Sequence, residues 1–298
     1  MSAVQIPVQP ARLLTGAQVG IPPRHMNFSF PESAERYFAF GGNALASLVF
    51  VVFSGIFPPG ERFFMESVRH FRTRISDDRL KAEVSGFMGQ EALHGREHDK
   101  LNDYFRARGL DVDTPDRCVK FGLRQLERLP PRLQLACTTM MEHFTAHLAE
   151  QWLTHKEFAA TSDPEMLKLW YWHALEEMEH KAVAYDVFEQ MGGTLAERRL
   201  ALALVLMALL PPILASWGVL IIKEGKLTSW RENARGLRML FGRGGFLTRV
   251  FAEMPSYLRQ GFHPDQQQTG ELEALWRERL FGEGGVLTAE FGNRAAVA

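Results

Sequence analysis

Cysteine is almost absent, with Cys118 and Cys137 the only two. They support neither a disulfide framework nor a thiolate zinc site, and they fit a reducing, cytoplasmic setting. Charge of one sign is missing too: 34 Lys and Arg stand against 35 Asp and Glu, a net charge of −1. No global field therefore draws the chain to nucleic acid. No stretch alternates apolar and polar residues at period two, which excludes a sheet-based fold and leaves an all-α one. The glycine-rich FGRGGF, 241–246, lacks the preceding strand and the spacing of a dinucleotide fingerprint, so no flavin or nicotinamide site is expected. The opening MSAVQIPVQPARLLTGAQVG has no basic stretch leading into an apolar core, so no secretory signal is expected.

What is present is an ordinary folded composition, 46% apolar and 23% charged over 298 residues, enough to bury a sizeable core. Four segments are expected: an irregular arm over 1–40, a helical bundle over 41–193, an apolar and arginine-rich extension over 194–262, and a tail over 263–298. Pro7, Pro10, Pro22, Pro23 and Pro31 keep the arm irregular and on the surface. Gly41 to Phe57 is apolar all round and too short to span a bilayer, which suits a buried helix. Pro58-Pro59-Gly60 is expected to break it and start a new helix at Glu61. Ser76-Asp77-Asp78 supplies the N-cap of a long helix running to about Arg108 and stopped by Gly109. A shorter helix covers 116–128, another 132–160, and Pro164 opens one that continues to Gly192.

The stretch Trp172 to Phe188, WHALEEMEHKAVAYDVF, carries His173, Glu177 and His180 at i, i+4 and i+7. At about 100° per residue the three fall within roughly 60° of one another on a helix. Such a face is costly to bury unless a cation sits before it. Upstream, FMGQEALHGREH carries Glu91, His94 and His98 in a similar array, and two further helices offer Glu61 and Glu142. Two Glu-x2-His motifs and two single glutamates on four helices are the donor set of a ferritin-like two-metal bundle. Cations about 3.5–4 Å apart need several carboxylates to bridge them, while imidazoles fill terminal positions. The mixed N/O set suits Fe or Mn. The alternative makes these residues exposed polar pairs on amphipathic helices; the apolar flanks Phe87, Leu93, Trp170, Trp172 and Met178 argue against it.

From about Pro58 to Met191 the chain resembles the bacterial family of predicted metal-dependent hydrolases, in the blocks FPPGERFF, FMGQEALHGREH with Leu101-Asn102, MEHFTAHLAE and WHALEEMEHKAVAYDVF. That family resembles the ferritin-like di-iron carboxylate proteins. His-x3-Glu-x2-His is similar to the di-iron aminoarene N-oxygenases, which add a third histidine. The resemblance implies seven ligands, Glu61, Glu91, His94, Glu142, His173, Glu177 and His180, holding two Fe ions, with Mn or a mixed pair as alternatives. It also implies that Glu176, just before the second motif, orients a ligand histidine through its other ring nitrogen, with Gln90 in the equivalent place of the first. The segment after Gly193 matches nothing in this pattern.

Competing placements remain. His98 competes with His173 as a ligand, and Glu66 with Glu61. His143 and His147 read as a core edge or pocket wall. Glu97, Glu150, Glu179 and Lys181 read as solvated charges, Asp186 as outside the site, and Phe63, Phe64, Phe71, Phe87, Phe144 and Trp152 as core.

The resemblance implies O2 activation by a di-iron centre acting on a small apolar or aromatic substrate, with electrons from an external donor. A metal-dependent hydrolase is the alternative, using ions that lower the pKa of bound water to about 7. A non-catalytic iron-binding protein is the third reading. Leu200 to Ile222 has no charged residue; it reads as a core helix pair kinked at Pro211-Pro212, a membrane-associated segment, or a homodimer interface. The last fifteen or so residues read as poorly packed.

Overall fold

The computed structural model describes residues 14–292. Pro7 and Pro10 of the arm, and 293–298 of the tail, lie outside the described residues. Within them the chain is all-α, and the only strand-like pairing is an isolated bridge between Met26 and Phe291.

The first helix, α1 (Ala44–Arg69), starts where the Asn43 side chain accepts from the Ala46 amide at 3.0 Å. It does not break at Pro58-Pro59, contrary to the sequence expectation. Pro58 cannot donate to the Ser54 carbonyl four residues back, but Asn102 Nδ2 does so at 2.9 Å. A side chain from the neighbouring helix thus replaces the missing backbone donor, and Glu61 sits mid-helix with a fixed direction. That neighbour, α2 (Asp78–Ala107), is capped by Asp77 and followed by Gly109 at φ +74°. Next come α3 (Asp113–Leu126) and α4 (Pro131–Thr154).

The expected helix to residue 160 is interrupted at His155, whose ψ of 104° leaves the helix and whose Nδ1 caps α5 (Lys156–Thr161). Asp163 caps α6 (Pro164–His180), accepting from Glu165 and Met166. A turn at Lys181-Ala182 then separates it from α7 (Val183–Gln190). Lys181 is no solvated charge: it is buried and donates to the Gln267 carbonyl and to Thr269. No glycine or proline marks this interruption, so it follows from tertiary contacts.

Helix α8 (Leu195–Lys223) carries a Thr194/Glu197 capping box and passes through Pro211-Pro212 as one helix, where a kinked pair was expected. It packs on α1, α3 and α4. Its approach to α3 is close: a Cβ on Gly122 would lie 2.2 Å from the Ala208 carbonyl, one of the two that the prolines leave without a helical donor. Leu206, Met207, Leu210 and Leu214 of α8 remain exposed. By length and composition both α1 and α8 could cross a membrane, but the apolar stretch of α1 is 89% buried within the protein and that of α8 28%.

The remainder forms α9 (Trp230–Phe241), α10 (Phe246–Glu253) and α11 (Gly270–Phe281). The tail packs better than expected: Leu287 is fully buried, Phe291 lies against Phe281, and the Gly292 amide donates to His25 O at 2.8 Å. The arm is not merely superficial either, since Ile21, Met26, Phe28 and Arg24 are all buried. An aromatic cluster around Phe50, stacked on Phe158 at 5.0 Å and edge-on to Trp170 at 5.1 Å, fills one end of the core. Each such ring contributes about 1.5–3 kcal/mol by burial.

Candidate metal centre

Helices α1, α2, α4 and α6 face one another, and their acidic and imidazole side chains meet in the interior. Glu61, Glu91, His94, Glu142, His173, Glu177 and His180 are all buried, none more than 3% exposed. Six of them form two groups in which the potential ligand atoms lie within 4.8 Å of one another: Glu61 with His94 and His173, and Glu91 with Glu177 and His180. Glu142 adjoins the second, its Oε2 3.7 Å from His180 Nε2. Glu177 spans both, with Oε1 2.9 Å from His173 Nε2 and Oε2 3.7 Å from His180 Nε2. Gly95 on α2 gives Glu61 its room, since a Cβ there would lie 3.2 Å from Glu61 Oε2.

Both oxygens of Glu61, Glu91 and Glu142, Glu177 Oε2, His94 Nδ1 and His180 Nε2 are buried with no aligned hydrogen-bond partner. Glu91 Oε1 is 3.1 Å from His180 Nε2, yet the two do not meet in hydrogen-bond geometry. Orphaned polar atoms at one interior point are expensive. Burial, together with neighbouring carboxylates, pushes Glu61 and Glu142 well above the usual carboxylate range and Glu91 up to about 7. Burial also disfavours the Glu177 anion, but the His173 and His180 rings beside it outweigh this and hold it well below that range. His94 is pushed down by burial and by the adjacent His173 ring, stacked at 4.1 Å, and so is neutral. Burial disfavours the charged form of His180 too, but Glu177, Glu91 and Glu142 beside it outweigh this and hold it well above its ordinary value. Imidazoles and clustered carboxylates without thiolates fit divalent cations.

The orienting residues work crosswise. Glu176, which precedes the motif on α6, lies with Oε2 3.1 Å from Nε2 of His94 on α2. Gln90, which precedes the motif on α2, lies with Oε1 2.9 Å from Nδ1 of His180 on α6. In each case the other ring nitrogen is left facing the cluster. Glu176 is itself held by Arg24 at 2.9 Å, and Arg24 also pairs with Glu179 at 2.7 Å. Burial pushes the Glu176 carboxyl up to about 8 even against that guanidinium. Arg24, on the arm, was not visible as a site residue in the sequence. Glu97 and Glu179 are likewise not solvated: Glu97 pairs with Arg96 and Lys100, and Glu179 with Arg24 and Arg277.

His98 approaches the cluster behind His173, with Nε2 2.7 Å from His173 Nδ1. The direction of this bond follows from its neighbours. A carbonyl only accepts, so the Asn102 amide group must face Ser54 O, and Asn102 Oδ1 then accepts the Ser54 hydroxyl at 2.8 Å. Ser54 Oγ, its proton used, accepts from His98 Nδ1 at 3.1 Å. His98 Nε2 is therefore an acceptor for His173 Nδ1–H, and Nε2 is the His173 nitrogen turned to the cluster, 2.9 Å from Glu177 Oε1.

Of the competitors, Glu66 is exposed and paired with Arg69. His143 stacks on Tyr257 and lies edge-on to His147 and Phe262, and neither histidine is in either group of ligand atoms. Asp186 pairs with His263.

A family model described as predicted metal-dependent hydrolase matches residues 22–268. The chain belongs to that family. Searches of curated proteins and of solved structures returned no match. The family match takes in Arg24 and runs through α8, so the arm's ion pair and the apolar helix both lie within the family's span. For this predicted metal-dependent hydrolase the description gives metal dependence and a hydrolytic class, the reading that the sequence placed second.

Proposed function

We propose that the protein is a two-metal hydrolase acting on an ester-type bond of an apolar substrate. One observation carries it: the buried, unpartnered donor atoms of Glu61, Glu91, His94, Glu142, Glu177 and His180 converge where only cations would satisfy them. All seven expected residues would hold the ions in this reading, Glu177 facing both groups of donor atoms, with α1, α2, α4 and α6 as a ferritin-like four-helix frame. Divalent ions there would supply Lewis acidity and bring the pKa of water to about 7. The chain's own part is positional. Glu176, Gln90 and His98 hold the three imidazoles in the binding tautomer. Phe57, Trp152, Trp170 and Trp172 are buried around them and exclude bulk water.

Oxidation with O2 on iron is the second reading. The observation favouring it is the donor set itself, four carboxylates and three imidazoles buried in an aromatic surround. Turnover of a nitrophenyl alkanoate by metal-loaded protein, measured under nitrogen without reductant, separates the two. Hydrolysis there, abolished by Glu177→Ala, supports the first. Product formed only with iron, reductant and O2 supports the second.

A further inference from the structure

Beside the centre lies a cavity of about 650 Å³ between α1, α3, α4 and α8, closed by Phe241 of α9 and Phe251 of α10. Sites for small organic ligands run about 300–1,000 Å³. The lining side chains are apolar except for Thr145, whose hydroxyl already donates to the Glu142 carbonyl at 3.2 Å. A polar group placed deep in this cavity would have no partner. Hydrocarbon is the occupant that fits such a lining.

Both ends are informative. At the inner end Gly60 precedes Glu61, Met141 precedes Glu142, and the Phe57 ring lies 5.0 Å from the rings of both His98 and His173. At the outer side stand Leu206, Leu210 and Leu214 of α8, 46%, 40% and 49% exposed. We propose that the cavity binds a single unbranched aliphatic chain, admitted past α8, with its reactive end at the Glu61–Glu142 side of the centre. The assignment of the reactive end rests on the function proposed above, whereas chain binding itself requires no metal. A fatty acid free in water and an acyl chain drawn from a lipid layer share this chemistry.

The test uses the full chain without added metal. Hexadecanoate and octanoate are titrated against a bound fluorescent fatty acid, and the protein is separately mixed with phosphatidylcholine vesicles carrying labelled hexadecanoate. Gly60 lines the cavity with no atom within 4 Å of where a Cβ would stand, so Gly60→Leu extends into it and Gly60→Ala serves as control. Hexadecanoate is expected to bind at least about tenfold tighter than octanoate. Gly60→Leu should weaken it about tenfold beyond Gly60→Ala, with melting temperature unchanged. Uptake from vesicles marks the lipid layer as source, and uptake from solution alone marks the free acid; either supports the site if Gly60→Leu weakens it as expected. Equal affinity for the two acids, no binding, or a folded Gly60→Leu protein that binds like wild type overturns the proposal. Metal loading distinguishes the two readings: chain binding by protein that takes up no metal upholds the cavity and removes the two-metal function, and metal uptake without chain binding does the reverse.

Discussion

Nε2 of His98 lies 2.7 Å from Nδ1 of His173, and the bonds from Asn102 through Ser54 make His98 the acceptor. A residue with the spacing of a ligand is instead the device that turns His173 towards the cluster. Ser54→Ala frees His98 to take the other tautomer, which would leave two N–H groups facing each other. Metal affinity should then fall by about 10–100-fold at one of the two positions, read by calorimetric titration. Unchanged affinity at both would show that the chain of bonds does not orient His173.

Asn102 also replaces the donor that Pro58 lacks. Asn102→Ala should cost about 1–3 kcal/mol in chemical denaturation by leaving the buried Ser54 carbonyl unpaired. Adding Pro58→Ala supplies a backbone amide to that carbonyl, so the double variant should recover part of the loss. Simple additivity would contradict the explanation.

Arg24 is buried between Glu176 and Glu179, bonded at 2.9 Å and 2.7 Å. Arg24→Met leaves the buried Glu176 without its cationic partner, and Glu179 with Arg277 alone, and should cost about 3–5 kcal/mol. Arg277, which also reaches Glu179, covers only the outer member of this pair. A loss below about 1 kcal/mol would place the arm as a surface element after all.

Burial, aided by His147, pushes His143 down to about 4. The unfolded chain takes up this proton near its ordinary value of about 6.5, so stability is full above that pH and declines as pH falls towards 4. His143→Gln should flatten melting temperature against pH across that window. A slope equal to wild type would assign the decline to other groups.

Much of this was legible in the sequence. The i, i+3 and i+4 spacings brought His173, Glu177 and His180 to one face, because helical periodicity is local. The choice of Glu61 over Glu66 also agrees with the burial of the first and the exposure of the second. What escaped was long-range. Pro58 read as a break and Pro211, in one of three readings, as a kink, since nothing local announces that Asn102 supplies a donor or that α8 passes its prolines intact. Arg24 and Glu179 read as bland, because their pairing closes a loop of 155 residues. The break after His180 carries no glycine or proline and could not be seen.

Elemental analysis of the purified full chain, paired with Glu177→Ala, tests the two-metal centre most directly. Glu177 faces both groups of ligand atoms, so wild type is expected to hold two ions per chain and the folded variant to lose both. A well-folded wild-type chain that binds no metal, or a variant that keeps both ions, would contradict the account.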